Sequence, residues 1–194
     1  MADDTSKQPA RIAGFGMMSE FNQLDNIDDP LLALDQCREG VRRLCGDMEG
    51  LADQLGERYL APAACRSVLK RLRCELPLCH RNEELVYRLL VSRQAGPSSL
   101  MRCVDVAIAE HNRAETCSIE LAEPLSEARE GIMNWNPNAL GYLMRHCFET
   151  IARHLEWEDA AIFADLSSHL TVLDQRILRE GFRRNFLTLM HGEA

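Results

Sequence analysis

Three histidine–glutamate pairs share one spacing in the sequence and could bind a metal ion. The pairs are His80 and Glu84, His111 and Glu115, and His154 and Glu158. Residues four apart lie on the same face of an α-helix, one turn apart, so both side chains of a pair can reach one metal or two adjacent metals. A single pair is weak evidence, because this spacing often occurs by chance on exposed helices.

The three pairs also lie at similar distances from the turns predicted between their helices. With a turn centred near residue 96, His80 lies about 16 residues before it and His111 about 15 after it. A turn near residue 134 relates the second and third pairs in the same way. At a rise of about 1.5 Å per residue, all three pairs fall in one layer of an antiparallel bundle. Three pairs in one layer favour a metal site of imidazole and carboxylate, which suits iron or manganese and also allows zinc.

Four long amphipathic helices must position these residues. Apolar residues recur with helical periodicity over 30–57, 62–92, 99–129 and 137–166. Asp28 and Asp29 followed by Pro30 are typical of a helix start, whereas Pro77 should kink the second helix. Long helices joined by short connections predict an all-α fold, an antiparallel up-down-up-down four-helix bundle.

The two ends of the chain extend this bundle. Residues 1–27 are polar with a mixed pattern and are predicted to form a flexible N-terminal tail. The apolar residues at 15–21 could dock on the bundle or a partner, or support a homodimer. Residues 28–190 are predicted to form the bundle, which includes a short C-terminal extension of one or two helices after residue 171.

Composition and charge exclude several classes of protein. The 194 residues carry a net charge of −8, which argues against nucleic-acid binding. The sequence has neither a secretory signal nor an apolar run of membrane-spanning length, so we expect no membrane partner and a cytoplasmic location. None of the eight cysteines forms a CxxC pair. We expect free thiols that pack as small hydrophobic residues.

The histidine-bearing segments resemble the hemerythrin-like, or HHE cation-binding, family. They read CHRNEELVYRLL (79–90), AEHNRAE (109–115) and HLEWEDAAIF (154–163). The opening DPLLALDQCREGVRRLC (29–45) also resembles the first helix of bacterial members, and the similarity covers most of residues 29–185. The resemblance implies a four-helix bundle around a non-haem di-iron centre.

The resemblance also implies roles for individual residues. His80, His111 and His154 would be terminal metal ligands. The carboxylates of Glu84, Glu115 or Glu158 would bridge the metals or bind one of them. Family members bind dioxygen or nitric oxide, handle iron, sense oxygen or take part in stress defence, so these functions are the expectation here.

The first predicted helix departs from the family pattern. The family has a Cys-His pair on this helix, whereas this sequence has Cys37 and Arg38. Arginine stays protonated and cannot coordinate a cation. The site would then hold metal, mono-iron or di-iron, with an open position or with Cys37 as a substitute ligand. Alternatively, the guanidinium replaces the metal by binding Glu84, Glu115 or Glu158, leaving no cofactor, or Arg38 lies on the surface.

Three functions follow from these alternatives. The first is a soluble iron protein with dioxygen or nitric oxide as its small ligand, or with a role in iron handling. The second is a metal-free interaction module that has kept the bundle. An enzyme, such as a peroxidase or an iron–sulfur repair factor, ranks last, because the sequence places no substrate pocket. His146, two turns before His154, could contact the ligands from outside, although a core or surface role is more common for such a histidine.

Overall fold

All regular secondary structure in the described part of the chain is helical. A computed structural model describes residues 28–55, 60–130, 135–164 and 166–191. The helices are α1 (Pro30–Gln54), α2 (Pro62–Val91), α3 (Ser99–Arg129), α4 (Pro137–Ala161), α5 (Leu166–His169) and α6 (Val172–Met190). The predicted tail over 1–27, with its apolar residues at 15–21, lies outside the described residues. None of the helices in the described ranges has the length and apolarity to cross a membrane.

Side-chain caps begin the helices where the sequence predicts. The Asp29 carboxylate accepts hydrogen bonds from the backbone N–H groups of Leu31 and Leu32, at 3.0 and 3.1 Å, and Pro30 occupies the first turn. The Asn136 side chain caps α4 in the same manner. Such caps satisfy backbone donors that a helix leaves unpaired at its start. The predicted starts of α1 and α4 are therefore confirmed.

The predicted end of the fourth helix is wrong. α4 ends at Ala161, and the backbone N–H groups of Ile162 and Phe163 both donate to the carbonyl of Glu158, at 2.9 Å. The chain turns there because Ile162 is buried in the core and the Phe163 ring packs on the Arg38 guanidinium, 4.3 Å from its Cζ atom. The turn therefore places Phe163 over the buried Arg38 side chain.

The four long helices pack in a closed ring. α1 contacts α2 and α4, and α3 contacts the same two helices. Pro77 lies within α2 without ending it. Two apolar clusters fill the interior, one around Leu44, Leu76, Leu121 and Ile151 and the other around Leu34, Tyr87 and Phe182. Between the two clusters, each of the four helices buries at least one charged or imidazole side chain. We call these side chains the polar layer.

The C-terminal extension lies where the sequence predicts it, and a single helix spans the segment after residue 171. It consists of the short α5 and the 19-residue α6, which packs against α2 and more lightly against α1. A capping box between Thr171 and Asp174 begins α6. Leu178 and Phe182 are buried in the second apolar cluster. α6 is therefore part of the core and not an appendage.

Candidate metal centre

Four buried side chains from three helices converge in the polar layer. Glu83 lies on α2, His111 on α3, and His154 and Glu158 on α4. One carboxylate oxygen or ring nitrogen of each residue lies within 4.8 Å of those of the other three. Two imidazoles and two carboxylates form a donor set suited to a divalent transition metal.

Several buried polar atoms of this cluster lack hydrogen-bond partners within the described structure. They are both ring nitrogens of His111 and His154, Oε2 of Glu83 and Oε1 of Glu158. His111 Nε2 lies 3.2 Å from Glu83 Oε2, and His154 Nε2 lies 3.3 Å from Glu158 Oε1, without the geometry of a hydrogen bond. A buried polar group without a partner costs about 1–3 kcal/mol. Several such atoms in one place fit a site whose partner is a metal ion.

Arg38 on α1 completes the layer by binding both glutamates. Its Nη1 contacts Glu83 Oε1 closely and donates to Glu158 Oε2 at 2.7 Å. Its Nη2 donates to the Leu155 carbonyl at 3.1 Å and to Asp159 Oδ1 at 2.8 Å. The side chain is only 3% exposed, so the alternative that places Arg38 on the surface is wrong. The interpretation that the guanidinium binds buried carboxylates agrees with these contacts, although of the predicted partners only Glu158 is one of them.

The third histidine stacks against the cluster. The rings of His80 and His111 are 3.9 Å apart between centroids and nearly parallel, at 9°. The His154 ring approaches His111 edge-on at 4.8 Å. His80 Nδ1 lies 3.3 Å from Glu115 Oε1. The structure thus brings all three predicted histidines together, with His80 beside the four converging side chains.

The two buried glutamates have opposite protonation preferences. Burial and the repulsion of Glu83 raise the pKa of Glu158 to about 9. Burial alone would also raise the pKa of Glu83, but contacts with His111 and Arg38 outweigh it and hold that pKa below its usual value. Without metal, the pair therefore carries one negative charge at neutral pH, which Arg38 balances. A metal ion would bind the deprotonated carboxylate and displace the Glu158 proton.

The three histidines also differ in the direction in which their pKa values are shifted. Burial, followed by the positive field of His111, lowers the pKa of His154 to about 3. Burial also lowers the pKa of His80. For His111, burial acts in the same direction, but contacts with Glu83 and Glu84 outweigh it and raise the pKa. His154 is consequently neutral at physiological pH, the form in which imidazole binds metal.

The other predicted site residues lie farther from the convergence point. Glu84 and Glu115 have side chains that are 28% and 46% exposed, and they contact His111 and His80 from the solvent side. Cys37 packs against the first apolar cluster and is not among the converging side chains. His146 is exposed and stacks on Tyr142 at 6.4 Å, which agrees with the surface role favoured for it and not with a contact to the ligands.

Sequence reasoning missed Glu83, which is fully buried in the centre of the cluster. The pattern of histidine and glutamate four residues apart points to Glu84 instead. The apolar stripe of α2 carries the missing information, since Leu72, Leu76, Cys79, Val86 and Leu90 are all buried. Glu83 continues that stripe at helical spacing and Glu84 does not. A carboxylate in a core stripe is therefore the feature that identifies this residue.

The family match agrees with this geometry. The model of the hemerythrin HHE cation-binding domain matches residues 29–166. The chain belongs to the hemerythrin HHE cation-binding family. The matched range includes Arg38 and all four converging side chains, and it ends before α6. No curated protein and no solved structure matches the chain significantly. Membership in this hemerythrin-like family supports cation binding by the buried cluster.

Proposed function

We propose that this hemerythrin-like protein binds non-haem iron at Glu83, His111, His154 and Glu158. The observation that carries the proposal is the convergence of buried, unpartnered ligand atoms from these residues. Sites with two histidines and carboxylates that leave coordination positions open are typical of non-haem iron. Manganese and zinc are the competing ions.

The bundle would hold these ligands in the antiparallel up-down-up-down order predicted from the sequence. Contacts between α1 and α2 support that order, since Arg38 meets Glu83 while the later Asp47 meets the earlier Arg71. Contacts between α1 and α4 support it too, since Arg38 meets Glu158 whereas Asp53 meets Arg145, 2.9 Å away. Residues that advance along one helix thus pair with residues that recede along its neighbour.

The bound ion would serve as a site for dioxygen or nitric oxide, or as a store of iron. When bound, iron supplies open coordination positions and redox chemistry. The chain supplies a buried, preorganised donor set and a stacked pair of rings, His80 and His111, beside it. When Glu158 loses its proton on metal binding, its carboxylate becomes negatively charged. Arg38, which contacts that carboxylate, would neutralise part of this charge.

Metal analysis after anaerobic reconstitution with Fe(II) tests the proposal. The wild-type chain should retain iron through desalting, and His111→Ala and Glu158→Gln should lose it. His146→Ala is the matched control, because this histidine is exposed and should leave the iron content unchanged. Equimolar competition among Fe(II), Mn(II) and Zn(II) identifies the preferred ion, and addition of nitric oxide should change the absorption spectrum. A folded wild-type chain that retains no metal would refute the proposal.

A metal-free interaction module is the second candidate. The observation in its favour is that Arg38 already contacts both buried glutamates. In this case a chelator should leave the melting temperature unchanged, and iron, manganese and zinc should not raise it. A rise in the melting temperature with Fe(II) that His111→Ala abolishes decides against this candidate, since ligands that bind the folded state stabilise it.

A further inference from the structure

Arg38 occupies one side of the carboxylate pair, and the histidines occupy the other. Glu83 gives Oε1 to the guanidinium and turns Oε2 toward His111. Glu158 gives Oε2 to the guanidinium, at 2.7 Å, and turns Oε1 toward His154. Each buried carboxylate thus has one oxygen bound to Arg38 and its other oxygen on the histidine side, among the atoms without hydrogen-bond partners.

The guanidinium is held in this position from several directions. Nη2 binds the Leu155 carbonyl and Asp159, and the Phe163 ring covers Cζ at 4.3 Å. The side chain therefore remains a fixed positive charge, because arginine is protonated throughout the accessible pH range.

A second metal ion at this side would have to replace the guanidinium. The space between Glu83 Oε1 and Glu158 Oε2 is filled by Nη1. A pocket of about 350 Å³ opens from solvent onto the outer side of Arg38, with Asp35 and Asp159 in its lining. A metal ion that enters through this pocket reaches the guanidinium before it reaches Glu83 or Glu158. The positive ion and the positive guanidinium repel each other strongly, because the protein interior has a low dielectric constant.

We propose that Arg38 acts as a built-in second cation, so that the cluster takes a single divalent metal ion per chain. The proposal rests on the proposed metal-binding function and adds the number of ions and the residue that limits it. It predicts one ion, bound on the side of His111 and His154, with Arg38 still bridging Glu83 and Glu158 in the loaded protein.

The test counts metal ions in three forms of the full chain loaded with Fe(II) or, in parallel, with Mn(II). The wild type should bind one ion. Arg38→His removes the fixed charge and offers an imidazole beside Glu83, Glu158 and Asp159, so it should bind two. Arg42→His is the matched control, because Arg42 also binds Asp159, at 2.6 Å, yet is 41% exposed and has the exposed Glu39 as its other acidic partner. This control should stay at one ion.

The outcomes separate this inference from the proposed function. Two ions in the wild type would overturn the inference and leave metal binding intact. No metal in the wild type but two ions in Arg38→His would overturn both, since Arg38 would then exclude all metal. One ion in a folded Arg38→His chain would also overturn it. If that variant does not fold, a crystal structure of the metal-loaded wild type decides. One anomalous peak with Arg38 in place supports the proposal, and a displaced guanidinium rejects it.

Discussion

Glu83 on α2 and Glu158 on α4 share the guanidinium of Arg38, and each turns its second oxygen toward a histidine. The two glutamates come from opposite sides of α1 and are separated by 75 positions in the sequence, from 83 to 158. Because both are buried, they need positive charge nearby. In the metal-free protein Glu158 tends to keep its proton while Glu83 is ionised, so Arg38 balances the charge of one carboxylate.

Adjacent glutamates on α2 should differ in their effect on metal affinity. Glu83→Gln removes a buried, converging oxygen, so the loss of affinity should exceed the roughly 10–100-fold typical of changes outside the ligand set. Glu84→Gln alters a partly exposed group 3.6 Å from His111 Nδ1 and should cost no more than about that range. Titration with a competing chelator measures both dissociation constants. Equal losses would contradict the assignment of Glu83 as the ligand.

Removal of Arg38 should destabilise the metal-free protein. Arg38→Met leaves the buried glutamates without a positive partner, and breaking a buried pair in this way costs about 3–5 kcal/mol. Arg42→Met is the control and should cost less than about 1 kcal/mol, since its ion pair is exposed. Urea unfolding in the presence of chelator measures both. Saturating Mn(II) should stabilise the wild type and both variants, and it should stabilise Arg38→Met most, where cation charge is missing.

Acid should destabilise the metal-free protein through His154. Its pKa is lowered to about 3 in the folded chain, whereas an unperturbed histidine titrates near 6.5. Below about pH 6.5 the unfolded chain binds a proton at His154 that the folded chain does not bind. The free energy of unfolding therefore decreases as the pH falls. Between pH 7 and pH 5 the loss should be about 2 kcal/mol.

The comparison of wild type with His154→Asn isolates this effect from other titrating groups. Both proteins are unfolded in urea at pH 7 and pH 5 in the presence of chelator. The stability difference between them should shrink by about 2 kcal/mol at the lower pH, because asparagine carries no proton linkage. Glu158 acts in the opposite sense, since its raised pKa makes the folded chain lose stability as the pH rises above the usual glutamate range. A pH-independent difference would show that His154 is not buried as a neutral imidazole.

α6 should contribute to the stability of the bundle even though it lies outside the family match. Phe182 is 2% exposed in the second apolar cluster, so Phe182→Ala should cost about 3–5 kcal/mol. Leu187→Ala on the same helix is the control, because Leu187 is 47% exposed and its truncation should change stability by less than about 1 kcal/mol. Thermal or urea unfolding followed by circular dichroism measures both. Equal effects would mean that α6 does not dock as described.

The helical elements, the starts of α1 and α4 and the three histidines of the cluster could be predicted from the sequence. These features depend on local chemistry: apolar periodicity, capping by Asp29 and Asn136, and residues four apart on one face. The same local reasoning failed at the end of α4, where burial of Ile162 and the packing of Phe163 on Arg38 ended the helix early.

Which acidic residues face the histidines, and where Arg38 points, depends on how the helices pack against one another. Glu83 and Glu84 are neighbours about 100° apart around the helix axis, so a modest rotation of α2 exchanges the buried residue for the exposed one. That rotation depends on packing between helices that are distant in the sequence, as does the side-chain direction of Arg38. A buried arginine between two glutamates is stable only where all three meet, which local sequence does not encode.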